Sequence, residues 1–312
     1  VTIRAMIALA LVAACCSACR STGAPSDTPI PRGPVPTVSQ IADPWNARVA
    51  RLDRLWARTV VTMRYLDAEG DTKSAQGEGH LQRLDWYKVA LSAGKVGETL
   101  FWFGADQDRY WFFDLSSADR RRVVFGRHDQ LTRDKGQLLS IPVPPRQYMR
   151  FSGLSAFPTR IEGAVITRTN KTTLQARFSD RAGDWIYDID ERTLHPISIT
   201  SLDEDGNPEV RSTLSDYRTV LLESPGDAIV QAPGRIVIEH LPSETSITIT
   251  IDGQMIDGRR AGRPKPAAFD LEGLIEALGP IDEPIDLDDD ESIDRLLELE
   301  FDPDALPAEQ AP

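Results

Sequence analysis

The sequence predicts a mainly β fold of the α+β type: a strongly curved antiparallel half-barrel sheet of about 12 strands, with an N-terminal amphipathic helix covering one face. Three observations predict it. Apolar residues recur at helical spacing only as far as Trp56, and from Arg58 onward the period drops to two. The candidate strands are separated by turns of roughly two to six residues, which suit antiparallel neighbours, because parallel pairs need long crossovers. A chain of 312 residues, 41% of them hydrophobic, can also fill a core of that size.

The N-terminus reads as an address. Arg4 gives a positive start, and the unbroken apolar run 5–14 has the length of a secretory signal and is too short to span a bilayer. All three cysteines, Cys15, Cys16 and Cys19, close this run, so the folded body holds no disulfide framework. Leu11-Val12-Ala13-Ala14-Cys15 resembles a bacterial lipobox, with Cys19 after Ser17-Ala18 as the alternative lipidation site. Residues 1–15 are thus expected to be a lipoprotein signal peptide, and acyl chains on the cysteine to hold the protein on a membrane. Cys16, not an aspartate, follows Cys15, which points to the outer membrane facing the periplasm. Residues 16–43, with Pro25, Pro29, Pro31, Pro34 and Pro36, form an extended tether.

A β domain is expected over 44–258. Asp43-Pro44 signals a helix start, and Trp45, Val49, Leu52 and Trp56 follow as one apolar stripe. Strands are predicted at 59–66, 74–84, 86–92, 98–103, 109–115 and 121–127, then a short helix within 144–154. A second meander runs from Arg160 through 173–178, 185–189, 197–201 and 210–222, and a final hairpin pairs 235–240 with 246–252. Two central strands break the half-buried pattern. Phe101-Trp102-Phe103 and Tyr110-Trp111-Phe112-Phe113 are apolar on both faces, so both faces must be covered or must line an apolar cavity. Phe101, Trp102, Phe103, Trp111, Phe112 and Phe113 are therefore candidate ligand-binding residues, with Trp45 and Trp56 on a helical lid. The pattern does not say which face is inward.

The run Gly94-Lys95-Val96-Gly97-Glu98-Thr99-Leu100-Phe101-Trp102-Phe103-Gly104, followed by Arg109-Tyr110-Trp111-Phe112-Phe113-Asp114-Leu115, resembles the periplasmic lipoprotein-carrier proteins of the LolA/LolB type. So does the later Asp203-Glu204-Asp205-Gly206 turn with its strand ending in Leu214-Ser215-Asp216-Tyr217. The likeness spans roughly residues 44–252 and rests on shape and turns, not on catalytic signatures. It implies a sheet and helix enclosing an apolar cavity that receives a lipid or the acyl chain of a lipoprotein. A lipid anchor makes the chain look more like the outer-membrane receptor than the soluble shuttle. The expected role is non-enzymatic, in lipoprotein or lipid trafficking, with no cofactor.

Other chemistry finds little footing. The net charge is -13, but residues 267–312 carry -15 and residues 1–266 carry +2, which leaves no broad basic face for nucleic acid. His80, His128, His195 and His240 have no metal-ligand spacing, and no nucleophile elbow, phosphate loop or zinc-protease motif occurs. Asp188 and Asp190 share a strand face, as solvated faces commonly arrange, and Asp203-Glu204-Asp205-Gly206-Asn207 reads as a turn, not a calcium loop. Arg120-Arg121-Arg122 reads as a solvated turn. In the acidic tail, 259–312, Phe269, Leu271, Leu274, Ile275 and Leu278 form a short amphipathic segment ended by Gly279-Pro280. Ser292 caps a second, with Ile293, Leu296, Leu297 and Phe301. Acid alternating with apolar anchors suits docking into a groove, on another protein or on the body itself; a solvating role is the remaining option. The alternative function is thus a membrane-anchored interaction module that uses this tail. Cys15→Ser should abolish palmitate labelling in a bacterial host while Cys19→Ser leaves it intact; the reverse would move the anchor.

Overall fold

Helix α1 (Val38–Ala50) begins where Thr37 and Gln40 cap each other reciprocally: the Thr37 hydroxyl accepts from the Gln40 amide, and the Gln40 side chain accepts from the Thr37 amide. The helix therefore starts ahead of the expected Asp43-Pro44 signal and carries Pro44 in its interior, without that residue's backbone bond. Its buried stripe is Ile41, Ala42, Trp45 and Val49. The chain turns at Arg51–Asp53, so Trp56 belongs to the first strand instead of the helix. The computed structural model describes residues 33–66, 71–95, 97–116, 121–132, 135–136, 138, 143, 145–159, 161–223, 229–281 and 283–300. Cys15, Cys19 and Phe301 lie outside them.

One mixed sheet follows, of 16 strands against the 12 or so expected. The first meander is β1 (Arg54–Leu66), β2 (Thr72–Leu84), β3 (Lys88–Lys95), β4 (Glu98–Ala105), β5 (Arg109–Asp114) and β6 (Arg122–Arg127). Helix α2 (Pro145–Phe151) leads to a second: β7 (Glu162–Arg168), β8 (Thr173–Asp180), β9 (Gly183–Asp190), β10 (Pro196–Leu202) and β11 (Pro208–Ser215). Short β12 (Arg218–Leu221) and β13 (Val230–Ala232) precede the hairpin β14 (Arg235–His240) and β15 (Thr245–Asp257), and β16 (Glu283–Asp286) comes last. The predicted strand 210–222 is split at Asp216, whose φ of 54° breaks the ladder. Trp86, expected in a strand, sits in the β2–β3 turn and is 71% exposed.

The strand order is β16-β6-β5-β4-β3-β2-β1-β15-β14-β11-β10-β9-β8-β7, and the sheet is not closed. The final hairpin thus lies between the two meanders and joins them. Most pairs are antiparallel, as expected, but β16–β6 and β12–β15 are parallel. Strong curvature follows from α2. Tyr148 packs on Phe103 of β4 at 5.3 Å and Phe151 on Trp185 of β9 at 5.5 Å, between ring centroids. β4 and β9 are eight positions apart in the order, which in a flat sheet would be roughly 38 Å. A helix of seven residues reaches both only if the sheet wraps around it. One continuous core fills the concave side and includes α1 and α2. α1 is fixed there by Trp45 Nε1 donating to the Ser155 carbonyl (2.9 Å) and by Asn46, which bonds both the amide and the carbonyl of Phe157.

The convex side is treated differently along the sheet. β8, β9 and β11 alternate buried and exposed residues, so their outer face meets water. β3 and β5 are buried on both faces, because the acidic C-terminal segment folds over them. After α3 (Gly258–Ala261) and a 3₁₀ turn (Pro266–Phe269), α4 (Leu271–Ala277) lays Leu271, Leu274, Ile275 and Leu278 on Trp102, Trp111, Phe113 and Val123. Asp270 caps α4 by accepting from the Gly273 amide. Gly104, opposite Trp111, makes room for the indole: a Cβ there would lie 2.3 Å from Trp111 Nε1. Arg109 grips Glu272 with two bonds, of 2.7 and 3.0 Å, and Arg121 donates to the Leu278 carbonyl. Of the 120–122 cluster, Arg121 serves docking by holding α4, whereas Arg122 pairs with Asp114 across β5 and β6. β16 then adds to the β6 edge, Asp288 accepts from the Arg127 amide, and Leu296 of α5 (Asp290–Glu300) enters the concave core. Asp289, not Ser292, receives the first donors of α5. The expected tail is, through residue 300, part of the domain. Trp111→Ala should destabilise the protein by about 3–5 kcal/mol; Arg109→Gln, which removes a partly exposed ion pair, should do so by less than about 1 kcal/mol. Chemical denaturation measures both.

Candidate functional site: an apolar pocket beneath a short helix

Registered pairing aligns Leu81, Leu91, Phe103, Phe112 and Val124 as one row across β2–β6, and Met63 faces Ile247 across β1–β15. These concave-face side chains meet α2 and the segment before it. The resulting pocket is lined by Met63, Leu91, Phe101, Phe103, Phe112 and Ile247 from the sheet and by Val143 and Tyr148 from the other side. Its volume is about 20 Å³, room for roughly one water molecule. The acyl-sized space expected between helix and sheet is therefore closed in this conformation. Tyr148, one of the lining residues, has its hydroxyl buried, with no hydrogen-bond partner among the described residues. Burial pushes this phenol well above its ordinary range, so it remains a proton donor. Leaving such a donor unpaired costs about 1–3 kcal/mol.

The eight residues singled out in the sequence separate by strand parity. Phe101, Phe103 and Phe112 line the concave pocket. Trp102, Trp111 and Phe113 point the opposite way and are covered by α4. Trp45 is in the concave core, but against Phe157 and Tyr187, with centroids 5.4 and 5.8 Å away. Trp56 is on the convex side of β1, stacked on His80 at 5.2 Å with the Arg263 guanidinium over its ring. The lid over the pocket is α2 in place of α1. Met63, Leu91, Val143, Tyr148 and Ile247 were not distinguished in the sequence. Only register and the return of the 143–148 segment bring them together, and the predicted helix at 144–154 was the one available signal.

The polar candidates are accounted for structurally. Asp188 accepts from Gln175 and Ser198, and Asp190 accepts from the amides of Arg192 and Thr193 and from the Thr193 hydroxyl. Asp203 accepts from the Asp205 and Asn207 amides, with Gly206 at φ 83°, so its loop is the expected turn. His128 bonds the Asp106 carbonyl, His240 bonds Ser243, and His195 stacks on Tyr217 with centroids 4.3 Å apart. Among the described residues no group of three metal-ligating side chains forms, and no helix is long and apolar enough to cross a membrane. What this pocket can do chemically is exclude water.

No protein-family model and no curated protein matches the chain. Among solved structures it is similar to a DUF1329 family protein from Desulfovibrio piger, at 9% identity and a TM-score of 0.51, covering 76% of this chain and 98% of that one. It is also similar to a LolA superfamily protein from Nitrosomonas europaea, at 12% identity and a TM-score of 0.46, covering 70% and 93%. A third neighbour is a domain described as that of an outer membrane lipoprotein-sorting protein from Vibrio parahaemolyticus, at 11% identity and a TM-score of 0.41, covering 74% and 97%. The first likeness establishes a shared fold and assigns no residue a role.

Burial and the neighbouring Arg48 guanidinium push His195 down to about 4. An imidazole of the unfolded chain takes up its proton near pH 6.5, whereas the folded one waits until about pH 4. Stability should therefore fall as pH drops from about 6.5 to about 4, by roughly 1–2 kcal/mol for this half-exposed ring. His195→Gln should flatten the dependence of the denaturation midpoint on pH within that window; an unchanged slope would refute the assignment.

Proposed function

We propose that the chain is a lipid-anchored, non-enzymatic envelope protein, held at the periplasmic face of the outer membrane through Cys15, whose concave face binds an acyl chain in lipoprotein or lipid trafficking. The observation that carries the reading is the pocket wall itself: aromatic and aliphatic side chains that present no polar atom to the space they enclose. Val143 and Tyr148 are the side chains to be displaced, and re-exposing both costs about 3–6 kcal/mol. Ten buried methylenes of a guest return about 8 kcal/mol at ~0.8 kcal/mol each. An acyl chain can thus replace them along Leu91, Phe101, Phe103 and Phe112. Capture of a protein partner by the tail finds less support, since α4, β16 and Leu296 are engaged with their own domain.

Delipidated protein mixed with a long-chain acyl ester should retain one acyl chain in native mass spectrometry. Leu91→Trp, which fills the pocket, should reduce retention roughly tenfold while preserving the circular dichroism spectrum. Failure of the unmodified protein to retain any acyl chain, or equal retention by the variant, would refute the pocket as the site.

A further inference from the structure

A second concavity lies along the other side of α1 and takes no part in the acyl pocket. Pro44, Ala47, Arg48 and Arg51 of α1 and the turn after it face the β9–β10 turn (Thr193, Leu194, His195) and the approach to β13 (Ile229, Val230, Gln231). The groove between them has a volume of about 280 Å³, at the small end of small-molecule sites. Its floor is Trp45, whose indole nitrogen is already satisfied by the Ser155 carbonyl.

Arg48 is the unusual member. Its Nη2 is buried, and among the described residues no hydrogen-bond partner reaches it. The guanidinium rests on the Trp45 ring, 5.1 Å from the centroid. Burial lowers its proton affinity, and the group nearest to restoring it is the Tyr217 phenol, not a carboxylate. That phenol is committed to the Pro196 carbonyl at 2.6 Å. Asp190, at the start of the opposite turn, is used by the Arg192 and Thr193 amides. A partly buried guanidinium with no carboxylate bound to it among the described residues is a costly arrangement unless something supplies an anion. Opposite it, the His195 ring offers a hydrogen-bonding nitrogen, and Leu194, Val230 and Ile229 form an apolar side, Ile229 being 79% exposed at the lip.

We propose that this groove binds a small anionic amphiphile, with its oxyanion head on the Arg48 guanidinium beside the His195 ring and its short apolar chain along Leu194, Val230 and Ile229. The head is a carboxylate or a phosphate monoester; both present the oxygens that a guanidinium recognises. The chain is short because the groove is small.

Titration calorimetry with hexanoate, hexyl phosphate, hexanol and inorganic phosphate tests it. One of the two anionic amphiphiles should bind roughly tenfold or more tightly than hexanol and than inorganic phosphate, and which one identifies the head group. Arg48→Gln should weaken that binding by roughly tenfold or more. Because Arg48 also packs on Trp45, Ile229→Asp provides a second variant at an exposed position, and it should weaken binding similarly by placing a like charge at the lip. Equal binding of hexanol, unimpaired binding by both variants, or no binding of either anionic amphiphile at millimolar concentration would overturn the proposal.

Discussion

Strands β4 and β5 carry aromatic side chains on both faces, and neither face can be left in water. This constraint organises the molecule. On the concave side Phe103 and Phe112 draw in α2 and the core behind it. On the convex side Trp102, Trp111 and Phe113 require a cover, and the C-terminal segment supplies it. Each fully buried aromatic contributes about 1.5–3 kcal/mol relative to exposure, far more than the exposed ion pairs around the rim. The apolar contact therefore holds the segment in place, and the charges align it.

That alignment explains an otherwise odd charge distribution. The segment is strongly acidic, and the strands it covers present Arg109, Arg121 and the Arg127 amide along their edge. Acid thus meets base at the rim while leucine and isoleucine meet tryptophan in the middle. Lys135 adds a further cation near Asp288, at 3.8 Å. The arrangement also closes the β6 edge, because β16 pairs with it and removes an unpaired ladder that could recruit other chains.

The same curvature that lets α2 touch β4 and β9 produces both concavities. Where the two halves of the sheet converge on α2, side chains from six elements leave a small dry space. Where α1 passes the β9–β10 turn, they leave a larger one with a cation in its lining. The first suits a guest that is apolar throughout; the second suits one with a charged end.

The mainly β class, the period change after the first helix, most strand positions and the short helix near 144–154 were legible in the sequence, because burial on one or both faces leaves a direct periodic trace. The helix boundary was not: Asp43-Pro44 is a strong local signal, yet the Thr37–Gln40 cap and the buried Ile41 and Ala42 carry the helix past it. Nor was β16, a strand of four residues that pairs with β6 across more than a hundred and fifty residues of chain. By itself the sequence determined that β4 and β5 are apolar on both sides and that the C-terminal segment mixes acid with helix-spaced leucines. Only the tertiary structure decided which aromatics face inward, that the segment covers the others, and that Arg48 lines a groove with one buried nitrogen that no described residue bonds. Alternation along a strand fixes two faces but does not label them; the labels come from long-range packing, which local pattern does not encode.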